Sequence, residues 1–159
     1  MNSKNHYKIV ILGGGPGGTA CALALEQYQQ KDILVLEAGN YSKFEIGENI
    51  PPHTRQIFNQ LNIYQDFKRE KHNPCYGSCS YWGDSKRGYN DTILSPHGHG
   101  WHLDRQKFNV FLANKVKEKG IEVMTNSTFK QVQSLANGGH ELYYKTKTKK
   151  LNRITTDFV

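Results

Sequence analysis

Three glycines, Gly13, Gly15 and Gly18, stand in G-x-G-x-x-G spacing directly after the apolar run Ile9-Val10-Ile11-Leu12. The chemistry open to such a turn is the cradling of a diphosphate. The first glycine permits a tight exit from a strand, the second lets backbone approach a pyrophosphate, and the third lets a helix pack close on the strand. The amides of Gly17 and Gly18 would then face phosphate oxygens at the positive end of the helix dipole. Glu37 supplies a second group. It closes a further apolar run, Ile33-Leu34-Val35-Leu36, at roughly the 20-residue offset of an acid that accepts from ribose hydroxyls and repels a 2′-phosphate. A plain glycine-rich turn with an ordinary exposed glutamate is the competing reading, and the shared register of strand, glycines, helix, strand and acid speaks against it.

These groups need elements to position them. The spacing of Ala20, Leu23, Ala24 and Tyr28 predicts a helix from Thr19 to about Gln30, between strands at Ile9–Leu12 and Ile33–Leu36. This is the opening of a parallel α/β sheet. The segment 41–52 reads as a long loop, of the kind that carries function in α/β domains, with Pro51 and Pro52 suited to a helix start. Ile57, Phe58 and Leu61 give the next helix an apolar face to about Asn62, with Phe67 beside it. Residues 68–76 read as irregular. Short strands are expected at 79–82 and 92–95, with a turn-rich loop between them. Asp104 can cap a helix to Lys119 that buries Phe108, Leu112 and Val116 beside Phe111, and Gly120 stops it. Ile121–Thr125 reads as a third parallel strand. Segments 129–135 and 140–146 flank Asn137-Gly138-Gly139, a hairpin signal, and 154–159 forms a last strand. The fold class is therefore α/β: a Rossmann-like domain over residues 1–159, its parallel sheet extended by a β-meander hairpin, with a loop and strand segment inserted at about 68–103.

Composition bounds the partners. The chain has 159 residues, enough for one domain with a real core, and carries 21 basic against 14 acidic side chains. Part of the excess is local, at Lys145, Lys147, Lys149, Lys150 and Arg153, and reads as a solvated hairpin face with no nucleic-acid module around it. Three cysteines, Cys21, Cys75 and Cys79, form no even disulfide framework. No apolar run reaches membrane length and no signal peptide opens the chain, so a cytoplasmic location with no membrane partner is expected.

The glycine motif through Glu37, then Ile46-Gly47-Glu48-Asn49-Ile50-Pro51-Pro52, Trp82-Gly83 and Gly100-Trp101-His102-Leu103-Asp104-Arg105 with Phe108, resemble the N-terminal half of FAD-dependent oxidoreductases of the p-hydroxybenzoate-hydroxylase-like fold. The branch they resemble is that of tryptophan-halogenase-like flavoproteins, which includes maturation flavoproteins for quinone-cofactor enzymes. The resemblance implies FAD as cofactor, in preference to NAD. Gly13, Gly15, Gly17 and Gly18 would hold its pyrophosphate and Glu37 its ribose. Arg105 would reach the phosphate or ribityl region, and Gly47 and Glu48 would pass near the isoalloxazine. It further implies NAD(P)H as a possible reductant, dioxygen chemistry, and an aromatic substrate that is either a small molecule or a tryptophan in a partner protein. The later motifs and most of the substrate domain of such proteins have no counterpart here. The halogenase lysine matches no position, so the catalytic residues stay unassigned. A non-catalytic dinucleotide-binding fragment needing a C-terminal partner chain, or an NAD-binding dehydrogenase domain, are the alternatives.

Other side chains admit two readings each. His97, His99 and His102, with His72, Cys75 and Cys79, fit no common zinc spacing, so no metal is expected; they line a cavity or a surface loop. Trp82 and Trp101 are ring-stacking groups or core plugs. Glu48 is an acid/base group or an exposed loop carboxylate. Arg105 opposes its helix dipole, a situation that an anionic ligand would relieve. Cys21 is expected to be packed and inert.

Overall fold

The computed structural model describes residues 4–83, 85–92, 94–136 and 138–159. Its elements in chain order are β1 (His6–Leu12), α1 (Pro16–Gln27), β2 (Ile33–Leu36), β3 (Glu48–Ile50), α2 (Thr54–Gln60), α3 (Tyr64–Arg69), β4 (Asn73–Cys75), β5 (Gly77–Tyr81), β6 (Arg87–Asp91), β7 (Gly100–Leu103), α4 (Arg105–Glu118), β8 (Glu122–Met124), β9 (Thr128–Ser134), β10 (His140–Lys145) and β11 (Leu151–Phe158). They divide into two compact units, Met1–Lys43 with Asn109–Val159, and Phe44–Phe108. The inserted unit thus begins well before the segment expected from about residue 68.

The first unit is built on a six-stranded sheet in the order β8-β2-β1-β11-β10-β9. β1 lies parallel to both β2 and β11, and β2 parallel to β8, while β9, β10 and β11 run as an antiparallel meander. The all-apolar β2 is buried along its whole length, as a central parallel strand must be. Tyr7, Val10, Leu34, Leu36, Leu142, Tyr144 and Ile154 form one continuous core against Met124 and Phe129. Thr19, Ala22 and Leu23 are the buried side of α1. Small residues there allow close approach to the sheet. Tyr28, expected on that face, lies beyond the helix end and is largely exposed; Cys21 is exposed too, on the outer side, and not packed. Lys145, Lys147, Lys149 and Lys150 are all exposed around the β10–β11 turn. The hairpin residue Asn137 lies outside the described residues.

The second unit pairs a small antiparallel sheet, β3-β7-β4, with a two-stranded hairpin, β5-β6. Strand formation here departs from expectation in three places. Glu48–Ile50 and Asn73–Cys75 are strands because both pair with β7, and the loop expected at 83–90 contains β6, register-paired to β5 through Cys79↔Tyr89. The strand expected at 92–95 is not formed at its described positions, and Ile93 lies outside them. The helix expected to run to Asn62 breaks there. Asn62 takes a left-handed turn at φ 57°, and a new helix follows. Aromatic packing forms the core. Phe58 and Phe67 stand 4.5 Å apart, Phe67 meets Trp101 edge-on at 5.3 Å, and Phe108 closes on both phenylalanines. Ile57, expected on the apolar face, points out to solvent.

Asp104 caps α4 as expected, its carboxylate accepting the Lys107 N–H at 3.0 Å, and Gly120 ends it at φ +80°. Phe108, Phe111, Leu112 and Val116 are buried. Leu34, fully buried in the central strand, tests the core. Leu34→Ala is expected to destabilise the chain by about 2–5 kcal/mol in urea unfolding, the range for a large-to-small change in a packed interior.

Candidate functional site

The turn between β1 and α1 shows four glycines in two physical situations. Gly13 leaves the strand at φ +102°, a backbone conformation that side chains resist, and donates its N–H to Leu36 O at 2.9 Å. A Cβ on Gly18 would sit 1.9 Å from Gly13 O, so the helix is pressed directly onto the turn. At Gly15 and Gly17, by contrast, a Cβ would meet nothing within 4 Å. Open space there faces bare backbone. Gly15 is the N-cap of α1, with no side-chain cap, and the first turn carries no acidic residue. The leading donors of the helix, at Gly17 and Gly18, are thus left to an external acceptor. Pro16 at the first helical position has no N–H to leave unpaired. This is the geometry a diphosphate fits.

Glu37 faces the same turn. Its Oε2 accepts the Gly14 N–H at 2.7 Å and its Oε1 accepts the Gly39 N–H. The Glu37 backbone N–H donates to Met124 O at 2.9 Å, which fixes the residue at the end of β2. Each carboxylate oxygen retains a lone pair for a sugar hydroxyl. Sequence reasoning missed Tyr41, which completes this arrangement. Its hydroxyl donates to Gly14 O at 3.0 Å, and burial, with Glu37 beside it, pushes the phenol up to about 12. A Cβ on Gly14 would lie 2.1 Å from that hydroxyl. The available signal was a tyrosine four residues after the acid, in the Ala-Gly-Asn turn leaving β2.

The remaining expected site residues belong to the second unit. A Cβ on Gly47 would stand 2.9 Å from Leu103 O, so glycine here allows the chain to pass close to β7. Arg105, only 12% exposed in its side chain, forms an ion pair with Glu48 and stands 3.6 Å from Glu45. The anionic charge expected to relieve Arg105 at its helix start is therefore supplied within the unit. Its Nε is buried without a hydrogen-bond partner among the described residues, which leaves one guanidinium donor for a further acceptor. Gly47, Glu48 and Arg105 come together; the glycine turn and Glu37 come together separately.

The histidines are dispersed. His97 lies tilted against His53, His99 meets Trp101 edge-on, and His102 lies exposed on β7. Among the described residues no group of three or more His, Cys, Asp or Glu is placed to hold a metal ion. Trp101 is buried in the aromatic core, whereas Trp82 is 91% exposed. A cavity of about 200 Å³ lies beside the proline segment, walled by Asn49, Ile50, Pro51, Cys75, Ser78 and Thr92 among others, with no charged side chain among the described residues of its lining. Among the described residues no helix is long and apolar enough to cross a membrane.

The family model described as tryptophan halogenase matches residues 8–93. LodB of Marinomonas mediterranea, named as an FAD-dependent oxidoreductase, is 31% identical over 119 residues, 74% of this chain and 32% of that one. The flavin-dependent halogenase gsfI of Penicillium aethiopicum is 26% identical over 126 residues, 78% of this chain and 24% of its own. Among solved structures, the myxobacterial chondrochloren halogenase CndH superposes with a TM-score of 0.85 at 20% identity, over 96% of this chain and 36% of that one. The p-nitrophenol 4-monooxygenase PnpA from Pseudomonas putida reaches 0.77 at 15% identity, over 97% and 40%. At those identities the structures show the shared fold. The chain spans about a quarter to a third of the length of these curated relatives.

The tyrosine clasp has a pH signature. Because the Tyr41 phenol is raised from 10.0 to about 12, its contribution to stability is complete below pH 10 and fades as pH climbs towards 12. Tyr41→Phe is expected to flatten part of that alkaline decline in urea-unfolding curves taken across the window. Tyr7 and Tyr144, raised by burial, and Tyr143, raised by its hydrogen bond to Glu141, contribute to the slope that remains. An unchanged decline in the variant would show that the clasp is not formed.

Proposed function

Because the chain belongs to the tryptophan halogenase family of FAD-dependent enzymes, we propose that it is the FAD-binding part of a flavin-dependent oxidoreductase, monooxygenase- or halogenase-like, acting on an aromatic substrate. One observation carries the reading. The uncapped start of α1 offers free amides beside open space at Gly15 and Gly17, with the Glu37 carboxylate turned towards the same turn.

In this reading Gly15, Gly17 and Gly18 hold the diphosphate by backbone N–H groups, and Gly13 sets the turn that aims them. Glu37 accepts from the adenosine ribose while still anchoring Gly14, and its charge disfavours a phosphorylated sugar. Arg105, held in place by Glu48 and Glu45, offers its unpaired Nε–H to an anionic or carbonyl oxygen of the cofactor. The flavin, when bound, supplies two-electron redox chemistry with dioxygen, and the protein supplies binding, orientation and exclusion of water. NAD(P)H is the proposed reductant. The uncharged lining of the cavity beside Pro51 suits a neutral ring, which supports an aromatic substrate, either a small molecule or a tryptophan side chain of a partner protein. Three free thiols agree with the cytoplasm as the place of action.

Titration of FAD with the chain, followed by quenching of flavin fluorescence, tests the site. Gly15→Val should abolish binding by placing a side chain in the diphosphate path. Glu37→Ala should weaken it by about 1–3 kcal/mol, the scale of lost hydrogen bonds to a charged group. Binding of NADH with no response to FAD would favour a nicotinamide-binding domain, and undiminished FAD affinity in Gly15→Val would refute the glycine-turn assignment.

A further inference from the structure

On α3, β7 and the residues flanking them in the second unit, six side chains line a cavity of about 220 Å³: Tyr64, Phe67, Lys68, His72, His99 and Trp101. Five carry flat rings. Phe67 and Trp101, almost fully buried, form its floor and meet edge to face at 5.3 Å. His99 stands edge-on to Trp101 at 5.1 Å, and His72 stacks on Phe67 at 5.3 Å. These contacts fix the walls against one another, so the space between them is preformed.

Two cations stand against the Tyr64 wall of this cavity, Lys68 in its lining and Arg55 beside it, while Glu70 and Asp104 act on the His72 side. Lys68 Nζ lies 5.3 Å from the centre of the Tyr64 ring, and the Arg55 guanidinium lies 5.1 Å from the same ring. Among the described residues neither cation has a carboxylate partner. The nearby acids are engaged elsewhere, Asp66 with Arg69 at 2.7 Å and Glu70 with Lys107 at 3.5 Å. Burial, with Lys107 near it, holds His72 below the ordinary imidazole range. The rings favour a flat π surface, offset or edge-on, and the two cations favour a negative group at its rim.

We propose that this cavity binds a small aryl carboxylate, its ring against Trp101 and Tyr64 and its carboxylate at Lys68 and Arg55. The site is separate from the glycine turn and does not depend on the flavin reading. It gives the chain a means of recognising an acidic aromatic compound through the second unit alone.

Two-dimensional NMR of the isotopically labelled chain provides the test, read at the Trp101 indole N–H while 2-naphthoate is added. Saturable shifts at Trp101 and His99 are expected, with Trp82 unmoved. The neutral 2-naphthamide and the non-aromatic cyclohexanecarboxylate should each bind about fivefold more weakly or worse, and exposed-site Lys68→Met and Arg55→Met should each weaken 2-naphthoate by about the same factor, as loss of one partly screened charge contact predicts. Absence of a saturable shift at Trp101, equal affinity for acid and amide, or indifference to both substitutions would each overturn the proposal. FAD titration of the same variants reports on the glycine turn separately, so either reading can fail without the other.

Discussion

The contact on which the first unit's binding geometry depends is the short bond from the Gly14 N–H to the Glu37 carboxylate. It joins the end of β2 to the exit of β1 at the one place where the chain has shed all its side chains. A run of glycines is entropically free, and without a tether its amides would point in many directions. Glu37 removes that freedom from one side and Tyr41 from the other, through the carbonyl of the same residue. Gly14 is thus gripped at both its donor and its acceptor, while its neighbour Gly15 remains uncovered. Rigidity and openness sit on adjacent residues, which is what preorganised recognition of a charged group requires.

The second unit handles charge differently. Arg105 opens α4 where a cation is electrostatically unwelcome, and two carboxylates from the preceding loop and β3 offset it. The arginine is thereby buried without being stranded, and its plane is held by Glu48. Elsewhere in the unit, Lys68 and Arg55 lean over Tyr64 with no carboxylate partner among the described residues. Within one compact body, paired cations such as Arg105, Arg69 and Lys107 serve as braces, whereas Lys68 and Arg55 are the ones proposed to meet a ligand.

Much of this was legible from residue types. The motif glycines, Glu37, the parallel strands, the Asp104 cap and the stop at Gly120 follow from local chemistry that acts within a few residues. Most of what escaped has a common physical origin. β3 and β4 are strands only because the distant β7 completes their ladders, and three-residue segments such as Asn73-Pro74-Cys75 carry no periodicity to betray that; β6 pairs locally with β5, but its polar residues give no strand pattern. Tyr41 was invisible for the same reason as β3 and β4, since its value lies in a hydrogen bond to a residue 27 positions earlier. The exposure of Cys21, Tyr28 and Ile57 shows the reverse error, an apolar pattern extended one position too far around or along a helix. The Arg105–Glu48 pair joins two residues the sequence had singled out separately, and only tertiary structure reveals that they answer each other.

β1 receives one neighbour, β2, from the adjoining stretch of chain, but its other edge is covered by β11, with His6 and Thr155 bonded across 149 positions. A ribosome must therefore make and release the whole stretch through β11 before this edge of β1 can be sealed. Pairings of such long range slow the search for the native topology. In the interval an apolar edge stands bare, open to the strands of other nascent chains. Synthesis of this protein carries a built-in period of vulnerability, and its length is set by translation speed, whatever the stability of the finished sheet.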